Sequence, residues 1–324
     1  MQHGPGSLPQ HEEWSMPPRN VTGNHFLTSA PTPHPDVNEL ELSFAGYRYL
    51  CRVIRQESAS TVPLLVLGGS SQNRHSWAVQ EKWWVPQFPV VTVDLPGYGS
   101  AGFLPARYGI DFLASAVCHT LELLGIARVN LLGACYGAAV AFRFAQHYPR
   151  MLERLMLGGM STKVPDDYVE LTTRWKTMLS LGKREEIATE LVNIFTASSG
   201  ETRVRRHLAV KRLLRRQFAS QSEDELRQAL EHNTRLLQHP PYHPDPVPDI
   251  PSLVFTGEYD TLCPPAAGRE VAALLPAGQF TTIKEGDHLV NMERPEEFAD
   301  LITRFCTGRC IAELVYCTPL ESTV

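Results

Sequence analysis

The residues with the most evident chemistry are Leu131-Leu132-Gly133-Ala134-Cys135-Tyr136-Gly137-Ala138-Ala139, an apolar run that passes through Gly-x-Cys-x-Gly into helix-forming residues. A strand that turns sharply into a helix leaves no space for side chains two positions before and after its apex, so both positions call for glycine. The apex side chain then stands at the helix N-terminus, where the dipole favours an anion. A cysteine in that place is a nucleophile, since the thiolate is the reactive form. Cys135 is therefore the candidate nucleophile. It needs a base, and the base needs a group to orient it. Two segments offer these, each just past a short apolar run. Residues 253–257 lead into Glu258-Tyr259-Asp260, and residues 280–283 lead to Glu285-Gly286-Asp287-His288. His288 is the candidate base and Asp260 the candidate acid. Glu258 falls early in its loop, and Asp287 adjoins the histidine in sequence, a poor position from which to orient its ring.

These groups need a scaffold that brings distant loops together. Residues 40–44 and 47–54 read as a hairpin of antiparallel strands, and 63–67 and 90–94 as wholly apolar strands covered on both faces. Helical periodicity over 108–124 ends at Gly125. A strand at 129–132, a helix at 138–147, further strands at 154–158, 253–257 and 280–283, and a helix at 295–305 with Pro295 in its first turn follow. Strands alternating with helices predict an α/β fold, a mostly parallel sheet flanked by helices.

The expected organisation is a disordered leader at 1–38, an α/β core at 39–162 and 246–324, and a helical lid insertion at 163–245. The leader holds seven prolines and few aliphatic residues. The insertion is strand-poor, carries the basic run RVRRHLAVKRLLRR at 203–216, and ends in HPPYHPDPVP, a linker back to the sheet. Trp175, Met178, Phe195 and Tyr242 are candidate pocket walls. The tail from 308 to 324 is expected to pack as one irregular or helical segment.

The chain has 324 residues, 43% hydrophobic and 20% charged, enough to bury a sizeable core. A formal net charge of -5 argues against a nucleic-acid partner held by bulk positive charge. No apolar run approaches the ~20 residues of a membrane helix. The first residues lack the basic start and apolar stretch of a secretion signal. Seven cysteines in no framework spacing then read as free thiols in a reducing cytoplasm. Cys118 falls within a helix and reads as core. Cys263, three residues after Asp260, falls near the site and reads as a bystander rather than a second reactive thiol. Cys306, Cys310 and Cys317 lack the histidines of a zinc set, so neither a metal nor a bound cofactor is expected.

From about residue 40 to residue 305 the chain resembles the α/β-hydrolase superfamily. The resemblance rests on the Gly-x-Cys-x-Gly elbow, Gly257-Glu258-Tyr259-Asp260, Gly286-Asp287-His288, and Asp94-Leu95-Pro96-Gly97-Tyr98-Gly99-Ser100, similar to that family's D-x-P-G-x-G-x-S loop with Ser100 one position early. Nucleophile, acid and base occur in the family's chain order, which implies a triad of Cys135, Asp260 and His288. Leu67-Gly68-Gly69-Ser70 stands where such enzymes usually carry His-Gly. By position the backbone N–H groups of Ser70 and Tyr136 would form the oxyanion hole, and Gly68 in place of the histidine implies a differently set loop.

Most members of that superfamily use serine. Passing an acyl group from a thioester to a serine hydroxyl is far downhill, whereas exchange between a cysteine thioester and a second thiol is close to thermoneutral. A cysteine therefore suits shuttling an acyl group between thiols. The combination of cysteine elbow, GEYD and helical insertion is similar to standalone acyl and aminoacyl transferases of nonribosomal peptide pathways, which implies acyl or peptidyl carrier proteins as partners and their phosphopantetheine thiols as the substrate arm, in antibiotic and other natural-product biosynthesis. The basic run at 203–216 is compatible with an acidic carrier, although a solvated lid helix is the favoured account of it. A thioesterase with the same triad is the alternative, and a non-catalytic binding scaffold the least favoured.

Overall fold

The computed structural model describes residues 35–56, 62–196, 203–247 and 249–322. The strands are β1 (Asp36–Phe44), β2 (Tyr47–Arg55), β3 (Leu64–Leu67), β4 (Val90–Asp94), β5 (Val129–Ala134), β6 (Leu152–Gly158), β7 (Ser252–Gly257), β8 (Gly278–Ile283) and β9 (Glu321–Ser322). The helices are α1 (Glu81–Trp84), α2 (Ile110–Leu123), α3 (Tyr136–His147), α4 (Tyr168–Ser180), α5 (Arg184–Phe195), α6 (His207–Ser220), α7 (Glu223–Gln238), α8 (Pro265–Ala273), α9 (Val290–Glu293) and α10 (Pro295–Cys306). The nine strands form one sheet in the order β1-β2-β4-β3-β5-β6-β7-β8-β9. It is parallel from β4 through β8, with antiparallel neighbours at both edges.

Successive side chains on a strand point to opposite faces, and the central strands are apolar on both. Leu65 and Leu67 of β3, Leu131 of β5, and Leu155 and Leu157 of β6 enter one core with α2 and α3. Their neighbours Leu64, Val66, Leu132 and Met156 enter a second core with α10 and Trp84. The apolar runs thus mark strands sandwiched between helix layers, as expected of a parallel sheet. Four helices, α4 to α7, lie between β6 and β7 and have their own core around Trp175, Leu191, Leu214 and Leu230. Among the described residues no helix is long and apolar enough to cross a membrane.

Two sequence expectations need correction. Residues 1–34 of the leader lie outside the described residues, but Asp36, Val37 and Asn38 belong to β1, paired with Arg55, Ile54 and Val53. Their side chains are exposed, so backbone pairing extends the strand without an apolar signature. The tail is not one irregular or helical segment either. Glu321 and Ser322 pair antiparallel with Phe280 and Gln279, adding a ninth strand at the sheet edge, and Arg269 grips Glu321 at 2.8 Å.

The sharpest constraint is the turn between β5 and α3. A Cβ on Gly137 would lie 2.4 Å from the Leu67 carbonyl oxygen, and one on Gly133 would lie 2.5 Å from the Gly137 carbonyl oxygen. Both obstacles are backbone and cannot give way. Replacing Gly137 with alanine should therefore cost about 3 kcal/mol or more, through overpacking rather than lost propensity. A urea titration of G137A against wild type reads this as a lowered midpoint. An unchanged midpoint would mean that the helix does not pack as closely as it does here.

Candidate active site

The elbow, the acid and the base all stand at the C-terminal edge of the sheet, on loops after β5, β7 and β8. Cys135 has φ 51° and ψ -116°, a strained conformation for a residue with a side chain. Its N–H donates to the Gly158 carbonyl at 2.7 Å. The turn thereby ties α3 to the end of β6 and lifts the thiol above the sheet.

Asp260 is held by four donors. Its Oδ1 accepts from the backbone N–H groups of Leu262 at 2.9 Å and Cys263 at 2.7 Å. Its Oδ2 accepts from the Thr256 hydroxyl and from His288 Nδ1, the latter at 2.9 Å. With Nδ1 committed to Asp260, Nε2 is the ring nitrogen left for the Cys135 side chain, which the imidazole also meets. Burial pulls the His288 pKa down, but the facing charges of Asp260 and Cys135 outweigh it and hold it well above the usual histidine value. The charged imidazole is the form that Asp260 stabilises.

The other sequence candidates fall as follows. Glu258 Oε2 accepts from the Glu285 N–H at 3.0 Å, and Asp287 Oδ1 accepts from the His288 backbone N–H at 2.8 Å; each braces a loop. Among the described residues no carbonyl or side chain accepts from the backbone N–H of Ser70 or Tyr136. The Gly69 N–H, by contrast, is taken by Gln72 Oε1 at 2.7 Å. A Cβ on Gly68 would lie 2.9 Å from Gln72 Cβ, so the glycine at this position makes room for the side chain that braces the loop.

Cys135 opens onto a cavity of about 260 Å³, lined mainly by apolar side chains including Leu171, Trp175, Leu191, Phe195, Leu226 and Leu230. Trp175 and Phe195 are the two predicted walls that reach it. Met178 instead packs within the core of the four helices, and Tyr242 packs on Phe142 of α3. Cys263 lines the same cavity, but burial and the Asp260 carboxylate push its thiol pKa far up. It stays protonated beside Cys135.

Sequence reasoning missed a buried polar cluster behind the elbow. His232 of α7 stacks on the Tyr136 ring at 4.4 Å and 10°. Its Nε2 faces the Gly97 carbonyl at 2.9 Å and its Nδ1 faces Ser70 Oγ at 2.9 Å. A carbonyl can only accept, so Nε2 carries the proton and Nδ1 accepts from the Ser70 hydroxyl. Burial drives the His232 pKa down to about 3, which keeps the ring neutral. Three positions on, Arg235 is fully buried and donates to the carbonyls of Tyr108, Leu104 and Pro105 and to the Tyr136 hydroxyl. The clue in the sequence was a histidine, an asparagine and an arginine on one short helical stretch, which reads equally well as a solvated face.

A profile of the α/β-hydrolase fold matches residues 62–295. The chain belongs to the α/β-hydrolase family. Among relatives of this α/β-hydrolase, it is 25% identical over 266 residues to 2-hydroxy-6-oxononadienedioate/2-hydroxy-6-oxononatrienedioate hydrolase 2 of Pseudomonas putida, covering 77% of this chain and 88% of that one. Two solved structures share the fold. An α/β-hydrolase enzyme from a Medee basin deep-sea metagenome library gives a TM-score of 0.71 at 18% identity, covering 85% of this chain and 100% of its own. The enol-lactonase of Burkholderia xenovorans LB400 gives 0.69 at 20% identity, covering 83% and 100%.

One further carboxyl braces the histidine loop of this α/β-hydrolase. Glu293 is 1% exposed, and its Oε2 accepts from the Asp287 N–H at 2.6 Å. Burial raises its pKa from 4.5 to about 8, against the opposing pull of the Asp287 N–H that bonds its carboxylate form. A carboxyl raised in this way binds its proton more tightly folded than unfolded, so its contribution to stability declines as pH rises from 4.5 to about 8. Glu293→Gln should remove that slope, on the order of a few kcal/mol across the window. Melting curves at pH 5 and pH 8 check this. An equal pH dependence in mutant and wild type would contradict it.

Proposed function

We propose that the chain is an acyltransferase that carries an acyl or aminoacyl group between carrier-protein phosphopantetheine thiols on Cys135, in natural-product biosynthesis. The observation that carries this reading is a cysteine, rather than a serine, at the apex of the elbow. It faces a buried His288–Asp260 pair on one side and an apolar cavity on the other.

In the first half-reaction the Cys135 thiolate attacks the carbonyl carbon of the donor thioester. The backbone N–H groups of Ser70 and Tyr136 hold the resulting oxyanion, where losing one donor typically costs about 2.7–4 kcal/mol. The tetrahedral intermediate collapses by breaking the bond to the donor sulfur, which takes the proton carried by His288 and leaves as a thiol. The acyl group is now a Cys135 thioester. An acceptor thiol enters, gives its proton to His288, attacks the same carbonyl carbon and expels the Cys135 thiolate. Asp260 fixes the imidazole tautomer throughout and stabilises its charged form. One thioester bond is exchanged for another, so the equilibrium lies near unity and both directions are open.

Further features agree. A cavity of about 260 Å³ lies below the ~300–1,000 Å³ typical of drug-sized ligands, which suits a small acyl group. Tyr168 and Asn233, joined at 2.7 Å, give that cavity a polar corner for an amino or hydroxyl substituent. On the outer side, Lys211, Arg212 and Arg215 of α6 line a surface cleft with no carboxylate partner among the described residues, a match for an acidic carrier. Water as the acceptor is the second reading, a thioesterase on the same triad. The relatives named as hydrolases favour it. A non-catalytic scaffold is disfavoured by the assembled Cys135, His288 and Asp260.

The two readings part at Cys135→Ser. If the acyl group must return to a thiol, the serine ester is a thermodynamic trap. The variant should load from a donor thioester yet transfer at roughly one-hundredth of the wild-type rate or less, while Cys135→Ala should not load at all. Intact-mass measurement of the acyl-enzyme, with and without an acceptor thiol, checks both. Sustained multiple turnover to free acid by Cys135→Ser would support the thioesterase instead, and normal transfer by Cys135→Ala would sink either form.

A further inference from the structure

A second cavity meets the apolar one beside the elbow and differs from it in kind. It has a volume of about 130 Å³ and shares Ser70 and Ser71 with the acyl cavity, then runs outward between the β3–α1 loop and the junction of α6 and α7. Its walls are rich in carboxamides, with Asn73, Gln217, Gln221 and Gln228 beside Ser71 and Ser220. Glu225 is the one charged residue among them, and its carboxylate is engaged at the α7 cap by the Ser222 N–H at 2.7 Å.

The hydrogen bonding within this slot is incomplete in one direction. Gln217 anchors its amide nitrogen on the Ser71 carbonyl at 3.1 Å, and Gln228 anchors its own on the Ala101 carbonyl at 3.2 Å. Each therefore presents its Oε1 with no donor among the described residues. Gln221 Oε1 is buried and has no partner among the described residues. A buried acceptor left unpaired is costly, so Gln221 Oε1 calls for an N–H donor from a ligand, and the solvent-facing Oε1 atoms of Gln217 and Gln228 add two more acceptors to the same slot. A ligand that suits it is narrow, uncharged and rich in secondary amides. A carboxylate would face the same acceptors unfavourably, and a hydrocarbon would leave them unpaired.

We infer that this slot is the binding site for the amide-bearing arm of the thioester, with Gln217, Gln221 and Gln228 accepting from the two amide N–H groups of a pantetheine-type chain. The inference rests on the thioester reading and extends it. The acyl group occupies the apolar cavity, the arm occupies the carboxamide slot, and the thioester carbonyl sits at their shared wall, Ser70, within reach of Cys135 in the apolar cavity. Donor and acceptor arms then use one slot in turn, which a two-step exchange through Cys135 requires.

The test compares one acyl group on three thiols with the full-length protein: pantetheine, N-acetylcysteamine with a single amide, and a simple alkanethiol with none. Loading of Cys135 is followed by intact mass. The wild type should load from acyl-pantetheine about tenfold faster, in kcat/KM, than from the single-amide thioester, and faster again than from the alkanethiol ester. In Gln221→Leu, and separately in Gln228→Leu, the ratio of pantetheine to alkanethiol rates should fall by about five- to tenfold. Reading a ratio within each variant removes any general loss of folded protein, and two variants guard against one that does not fold. Equal rates on all three thiols in the wild type would overturn the slot assignment while leaving thioester loading intact. So would an unchanged ratio in both variants. No loading from any of the three would overturn the thioester reading and the slot with it.

Discussion

Everything at this site depends on one turn of backbone. Cys135 is held at a positive φ because β5 and α3 must approach so closely that neither Gly133 nor Gly137 can carry a Cβ. Strain of about 1–3 kcal/mol at such a residue persists only where the surroundings over-determine it. Here the surroundings are the Gly158 carbonyl that receives the Cys135 N–H, the Leu67 carbonyl against Gly137, and two cores that lock β5 between its neighbours. Released from that packing, the thiol would turn away from His288. The elbow converts sheet packing into the placement of one sulfur atom.

Around that atom the environment is divided by polarity. On one side, a carboxylate with four donors faces a histidine with its charge stabilised. Another holds the apolar cavity. A third holds the carboxamide slot, and behind the elbow His232 and Arg235 fix the Ser70 loop and the Tyr136 ring through hydrogen bonds that use no carboxylate. The neutral state of His232 matters in this arrangement. A second positive imidazolium there would compete with Arg235, and burial prevents it. In the proposed reaction this division would give each part of a thioester its own surroundings, with the reacting carbonyl at the boundary.

The elbow, Asp260 and His288 were legible in the sequence because each sits in a short local pattern: an apolar strand, a turn and a polar residue at a set distance. The central strands were legible for a related reason. Burial on both faces leaves a continuous apolar run, such as residues 64–67 or 90–94, that few other environments produce. The supporting cluster was not legible. His232, Asn233 and Arg235 lie on α7 with acidic residues such as Glu223 and Glu225 that do face solvent, and no local pattern distinguishes an arginine bonded to four backbone and tyrosine oxygens from one bonded to water. The start of β1 and the whole of β9 were hidden because exposed edge strands are held by backbone pairing, which does not depend on side-chain type. The pocket walls were half right for a similar reason. Trp175 and Met178 share a helix, and only the packing of α4 against α7 decides which of them reaches the cavity.

The central claim is that an acyl group passes from one thiol to another through Cys135. The most direct measurement incubates the protein in heavy-oxygen water with an acyl-loaded carrier and an excess of unloaded carrier. Peptide mapping of the enzyme and mass measurement of both carriers follow. The account predicts an acyl adduct on the Cys135 peptide that moves to the second carrier without taking up heavy oxygen. Release of the acyl group as a heavy-oxygen carboxylic acid, with the second carrier left empty, would contradict it.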